Sequence, residues 1–188
     1  MPLLQVKELT AIFDSKTREA VKAVDRVSFS IWPGQVLGLV GESGSGKTVT
    51  ALSILNLLSF KKGRIHSGEI IYKGKNVLSL PEKKLRKIRG SEIAIIFQEP
   101  MTSLNPVLHV GLQITEVIRT HLSVSPRDAN FRAVNLLKRV GIPDAERRMK
   151  TYPHQLSGGM RQRVMISMAL ACSPALLIAD EPTTALDV

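Results

Sequence analysis

Apolar positions fall along this chain in two patterns. In "AVDRVSFSIWPG" (23–34) they alternate with polar ones: Val27, Phe29 and Ile31 share one face, Arg26, Ser28 and Ser30 the other. A period of two ending in Pro-Gly predicts a half-solvated strand and a turn. "LLQVKEL" (3–9) alternates more weakly, and the two segments suit an antiparallel edge. "GEIIYKGKNVLSL" (68–80) predicts a hairpin turning at Lys73–Gly74. Other runs are continuously apolar, as expected of strands covered on both faces: "QVLGLV" (35–40), "EIAIIFQ" (92–98) and "ALLIAD" (175–180).

Between them the spacing is helical. "KTVTALSILNLL" (47–58) follows a glycine-rich loop. Ser125 is placed to cap a helix that has Pro126 at its first position and Asp128 in its first turn, buries Val134, Leu137 and Val140, and stops at Gly141. Met160, Val164 and Met168 line one face of another, from Gly158 to about residue 171 and roughly 20 Å long. The alternation predicts an α/β fold with a mostly parallel sheet. An N-terminal antiparallel β edge and an inserted helical subdomain over about 100–155 complete one domain, 1–188.

Composition changes this picture little. With 44% hydrophobic and 22% charged residues among 188, the chain is an ordinary globular one with room for a core. The longest uncharged stretch, Val164–Ala179, contains Pro174 and is too short to span a bilayer comfortably. "MPLLQVKELT" lacks the basic start and apolar run of a signal peptide. The single cysteine, Cys172, sits in an apolar helical stretch and reads as a small buried hydrophobe in a reducing compartment. The net charge of +10 is open to nucleic acid, an anionic membrane or phosphate ligands. Its densest stretch, "EKKLRKIRG" (82–90), has no interleaved aromatics, which leaves base stacking little to work with and favours a solvated helix face.

Candidate chemistry starts at Gly41, Glu42, Ser43, Gly44, Ser45, Gly46, Lys47 and Thr48, which match G-x-x-x-x-G-K-[ST] between an apolar run and a helix. Glycines let successive N–H groups turn toward phosphate oxygens. Lys47 supplies a point charge toward the β- and γ-phosphates, and the Thr48 hydroxyl suits Mg²⁺. "ALLIADE" carries Asp180 to the carboxyl end of a strand, where it can hold the Mg²⁺ shell; Glu181 is a candidate general base. Gln98 ends another strand and suits Mg²⁺ or a water, though a plain surface amide is the commoner outcome. Ser157, Gly158 and Gly159 open a helix, either as a cap alone or as a second anion site.

The order GESGSGKT, Gln98, LSGGM, ALLIADE, ALD resembles the ATP-binding subunit of an ABC transporter, over essentially the whole chain. Met160 departs from the usual LSGGQ. "QEPMTSLNP" (98–106), "YPHQLSGGMRQRV" (152–164) and "DEPTTALDV" (180–188) resemble the dipeptide and oligopeptide import subgroup, whose pattern nickel importers share. The resemblance implies ATP and Mg²⁺ as cofactors and a second ATP-binding subunit, identical or related, facing this one head to tail. Ser157, Gly158 and Gly159 would then cap ATP held by the partner's phosphate loop. It further implies integral membrane permease subunits rocked by closure and opening, an extracytoplasmic solute-binding protein reached indirectly, and a peripheral place on the cytoplasmic face of the membrane. By position, Phe13 corresponds to an adenine-stacking aromatic, with an edge-strand core residue as the alternative. Gln98 corresponds to a γ-phosphate sensor contacting the permease, Asp187 to a loop crossing the subunit seam, and the 100–155 insert to the permease dock.

The resemblance also implies a further helix, an apolar strand and a switch histidine beyond Val188. None of His66, His109, His121 and His154 follows Glu181, so a fragment or truncated gene is expected, with a sheet left partly uncovered. His109 and His121 have no metal-ligand spacing. The expected function is ATP hydrolysis driving peptide import. The alternatives are a soluble ABC-type ATPase acting on nucleic acid or ribosomes, and a nucleotide binder without turnover.

Overall fold

The computed structural model describes residues 1–14, 20–97 and 103–181. Gln98 and Asp187 therefore lie outside the described residues. The chain separates into two compact units, Met1–Leu85 and Arg86–Val188.

The first unit is built on an antiparallel sheet. β1 (Leu4–Phe13) lies between β2 (Val21–Ile31) and β3 (Gly63–Tyr72), and β4 (Lys75–Asn76) closes the order β2-β1-β3-β4. β1 runs longer than its alternating stretch suggested because both of its edges are paired. Irregular register near Leu9 and Thr10 accompanies positive φ at Glu8 and Gly68. A Cβ at Gly68 would stand 2.6 Å from the Glu8 carbonyl oxygen, so this bend needs glycine. The β3–β4 turn is the expected one: Lys73 and Gly74 take φ 46° and 77°, the left-handed pair of a two-residue hairpin. α1 (Lys47–Ile54) packs on β1 and β2; Leu52 and Ile54 are buried on the helix, and Leu4, Val6 and Leu9 on β1. It stops short of Leu58 because Asn56 adopts φ 50°, a left-handed exit that the apolar spacing did not disclose.

One expectation fails here. "QVLGLV" is not a buried strand: Val36 and Val40 are each 94% exposed, and residues 36–40 join no ladder among the described residues. An apolar run becomes a strand only where a neighbour offers N–H and C=O partners. Here the Gln35 N–H closes a turn onto the Trp32 carbonyl, and nothing pairs the segment that follows.

The second unit joins parallel strands to helices. β5 (Ile93–Ile96) and β6 (Leu176–Ala179) pair in parallel, with Leu176 N–H to Glu92 O and Asp180 N–H to Ile96 O extending the ladder. Apart from an isolated parallel bridge between Arg89 and Ile93, parallel pairing among the described residues is confined to these two strands. The short α2 (Glu82–Ile88) contains the division between the units. α3 (Val110–His121), α4 (Pro126–Arg139), the one-turn α5 (Ala145–Arg148) and α6 (Gly158–Leu170) share a core of Val110, Ile114, Ile118, Ala133, Leu137 and Val164, each fully buried. Ser125 caps α4 as expected, its hydroxyl oxygen accepting the Asp128 N–H at 3.1 Å. Gly141, at φ 76°, turns the chain away after Val140. Leu137 is buried; Val134 and Val140 are only partly so, because Ala129 and Ala133 form the closer contact of that face.

Candidate nucleotide site

The phosphate loop lies wholly in the first unit. Gly44 and Gly46, at φ 81° and 94°, bend it, and the Ser45 N–H returns to the Glu42 carbonyl at 3.2 Å. Gly46 caps α1; its carbonyl accepts the Thr50 N–H at 2.8 Å and the Thr50 hydroxyl at 2.9 Å. Gly46 is also the most constrained glycine of the loop, since a Cβ there would sit 2.4 Å from the Ala23 carbonyl oxygen of β2. Lys47 curls back across the loop, its ammonium donating to the carbonyls of Gly41 at 2.7 Å and Glu42 at 2.9 Å. These bonds hold the cation over the same turn that presents the backbone amides. A phosphate meeting the amides would meet the ammonium as well. Thr48 follows in the first turn of α1, exposed.

Phe13, the expected adenine-stacking residue, closes β1. Its ring lies against Gly63, where a Cβ would approach Cε1 to 2.8 Å, and it is half-buried. One edge therefore packs in the sheet while part of the ring stays accessible.

The remaining candidates lie in the second unit. Asp180 follows β6, is 9% exposed and is tied to β5 through its own N–H. Glu181 comes next, exposed, at φ 46°. At the carboxyl end of the parallel pair a buried carboxylate is thus followed, at a left-handed residue, by an exposed one. Thr48 and Asp180 offer hard oxygen donors, the type Mg²⁺ takes alongside phosphate oxygens and water. Among the described residues there is no cluster of three or more His, Cys, Asp or Glu that could hold a metal ion.

Ser157 caps α6, and its hydroxyl oxygen accepts the Met160 N–H at 3.3 Å. Its own O–H proton remains available, and the N–H groups of Gly158 and Gly159 belong to the unpaired first turn. Met160, the departure from LSGGQ, packs partly against the core. The approach to this helix is fixed by contacts the motif does not spell out. The Arg161 guanidinium donates to the Pro153 carbonyl at 2.8 Å and that of Arg163 to the Gly141 carbonyl at 2.8 Å. His109 also has a place: its ring lies tilted against Tyr152, centroids 4.0 Å apart, and Tyr152 stacks on His154 at 5.5 Å. Gln113, 5% exposed, organises the 105–108 turn by accepting the Asn105 N–H and donating to the carbonyls of Asn105 and Leu108. A glutamine on the buried face of an amphipathic helix was the available signal for it.

The chain is also similar to known proteins. The oligopeptide transport ATP-binding protein AppD of Bacillus subtilis is 55% identical over 186 residues, and the dipeptide transport ATP-binding protein DppD of Haemophilus influenzae 53% over 188. These alignments take in 99% and 100% of this chain and 56% of each relative. The peptidoglycan transport ATP-binding protein YejF of Agrobacterium fabrum is 55% identical over the whole chain, which spans 34% of it. The chain thus covers about half or less of these relatives' length. Among solved structures, a dimeric ATP-binding cassette in a post-hydrolysis state, bound to ADP and Pi, superposes with TM-score 0.84 at 30% identity, over 98% of this chain and 76% of that one. The ABC transporter family profile matches residues 24–184. With its phosphate loop at the head of α1, its buried aspartate at the end of β6 and its serine-capped α6, the chain belongs to the ABC transporter ATPase family.

Proposed function

We propose that this chain is the ATP-binding and hydrolysing part of a subunit that powers peptide import through a membrane permease. The observation that carries the reading is the bent, glycine-hinged loop whose Lys47 ammonium already lies across it. Peptide import rests on the names of the relatives, which are transport subunits; these names support transport over action on nucleic acid or ribosomes.

The amides of Gly41–Thr48 bind the β- and γ-phosphates, and Lys47 exchanges its carbonyl partners for their oxygens. Thr48, Asp180 and Gln98 are the residues that would hold Mg²⁺, which would supply charge neutralisation at those phosphates. Glu181 accepts the proton of the water that attacks the γ-phosphorus, breaking its bond to the bridging oxygen. Ser157, Gly158 and Gly159 donate to the γ-phosphate held by a facing subunit, so that ATP joins the two and hydrolysis parts them. Phe13 offers its accessible edge to the adenine. The subunit docks on its permease partners from the cytoplasmic side; no helix among the described residues is long and apolar enough to cross a membrane.

The test is Mg-ATP titration calorimetry on residues 1–188 and on Lys47→Ala, with phosphate release measured alongside. Affinity should fall at least about tenfold, the worth of a charge-assisted contact. Equal affinity in the variant would overturn the assignment. Binding without phosphate release would confine this chain to the nucleotide-binding part of the function.

A further inference from the structure

The serine-capped start of α6 is reached through a connector, residues 149–156, that is fastened at both of its ends within the second unit. Its first half holds the head of α3. The Val110 N–H donates to the Thr151 carbonyl and the Gly111 N–H to the Met149 carbonyl, both at 2.9 Å. Both amides belong to the first turn of a helix and have no partner inside it. The approach is close: a Cβ on Gly111 would stand 2.7 Å from the Met149 carbonyl oxygen. The second half of the connector holds α6. Pro153 and Leu156 are buried, and the Leu156 N–H donates to the Pro153 carbonyl at 3.1 Å. The same carbonyl accepts the Arg161 guanidinium at 2.8 Å.

Tyr152 joins the two halves. Its N–H donates to the Gln155 side-chain oxygen at 2.8 Å and its carbonyl accepts the Gln155 N–H at 3.0 Å, which closes the turn Pro153–Gln155. Its ring meets two imidazoles. One is His109, the residue that opens α3, with centroids 4.0 Å apart; the other is His154, inside the turn, at 5.5 Å and within 10° of parallel. His109 Nδ1 is buried and makes no hydrogen bond among the described residues, so the tyrosine ring rather than a polar partner locates that imidazole. We propose that Tyr152 is a positioning residue for the Ser157–Gly159 donors: its ring, held by His109 and His154, sets where α6 begins relative to α3. The proposal rests on the reading that those donors meet a facing subunit's γ-phosphate. Hydrogen bonds weaken steeply with misalignment, so a helix start that wanders forfeits them before the helix itself melts.

Tyr152→Leu removes the aromatic face and keeps apolar bulk; Tyr152→Phe keeps the ring. Both are made in a Glu181→Gln background, and ATP-dependent pairing is read by sedimentation velocity with Mg-ATP. Tyr152→Leu should pair about three- to tenfold more weakly, the range an aromatic contact supports, and Tyr152→Phe should pair like the parent. ATP affinity of the single chain should not change, because the phosphate loop lies in the first unit. Hydrogen exchange without nucleotide gives a readout independent of pairing. The amides of Leu156 and Met160, bonded to the Pro153 carbonyl and the Ser157 hydroxyl oxygen, should exchange roughly threefold or more faster in Tyr152→Leu. Those of Ile114 and Ile118, in the core of α3, should keep the parent rate. Equal pairing in the parent and Tyr152→Leu overturns the proposal. So does faster exchange spread equally over α3, which marks plain destabilisation, or a Tyr152→Phe variant as weak as Tyr152→Leu. A parent that binds ATP without pairing overturns the reading of the seam itself, and this proposal with it.

Discussion

Gly46→Ala, compared with Gly44→Ala, separates two demands that the phosphate loop makes on glycine. Both residues have positive φ, 81° at Gly44 and 94° at Gly46, so an alanine at either is strained by about 1–2 kcal/mol. They differ in their surroundings. Nothing lies within 4 Å of a Cβ at Gly44, whereas one at Gly46 meets the Ala23 carbonyl oxygen at 2.4 Å and Val24 Cγ2 at 3.2 Å. Ala23 is skipped in the register of β2, but its neighbours Lys22 and Val24 pair with Ile12 and Ala11, so that backbone carbonyl cannot swing aside as a side-chain end would. Relief requires the start of α1 to move off the sheet, an overpacking cost of about 1–3 kcal/mol. Gly46→Ala should therefore melt about 2–12 °C below Gly44→Ala, at about 2–4 °C per kcal/mol for a chain of this size. The assay is thermal denaturation of residues 1–188 followed by far-ultraviolet circular dichroism, parent and both variants side by side. If the two variants melt together, the contact with β2 is not what holds Gly46, and the packing of α1 against the sheet described above is wrong.

Gly158→Ala should leave the melting midpoint unchanged or slightly raised, because no atom lies within 4 Å of the added Cβ and alanine favours a helix. The same variant should weaken ATP-dependent pairing in a Glu181→Gln background, read by sedimentation; unaltered pairing would remove the α6 start from the proposed seam. Burial pushes the Cys172 thiol up from its ordinary value, so alkylation by iodoacetamide at pH 8 should be several-fold slower than for a free thiol, with unfolding restoring the rate. The Lys138 ammonium, hydrogen-bonded to Glu146, holds that carboxyl below its ordinary 4.5. A lowered carboxyl adds stability above its unfolded pKa and loses it as pH falls through the folded one. The melting difference between the parent and Glu146→Gln should accordingly be small but present at pH 6 and vanish on acidification below 4.5. A difference that grows toward acid would reverse the assignment.

What could be read from the residues divides by the range of the forces involved. The Lys73–Gly74 turn, the Ser125 cap with its Gly141 stop and the serine-capped start of α6 depend on residues within one turn of each other, and each forms where the pattern placed it. The phosphate loop is as local, and its glycine spacing already dictated the two left-handed bends. What stayed hidden depends on distant neighbours. Nothing near Gly46 in sequence announces Ala23, and nothing near Arg161 or Arg163 announces the carbonyls of Pro153 and Gly141. "QVLGLV" fails for the same reason in reverse. Hydrophobicity states that a segment prefers burial, but a parallel strand exists only if another segment arrives beside it, and that is a property of the whole chain. β5 and β6 illustrate the point: they form a ladder because each supplies the other's partners, Ile93 to Leu176 through Ile96 to Ala179.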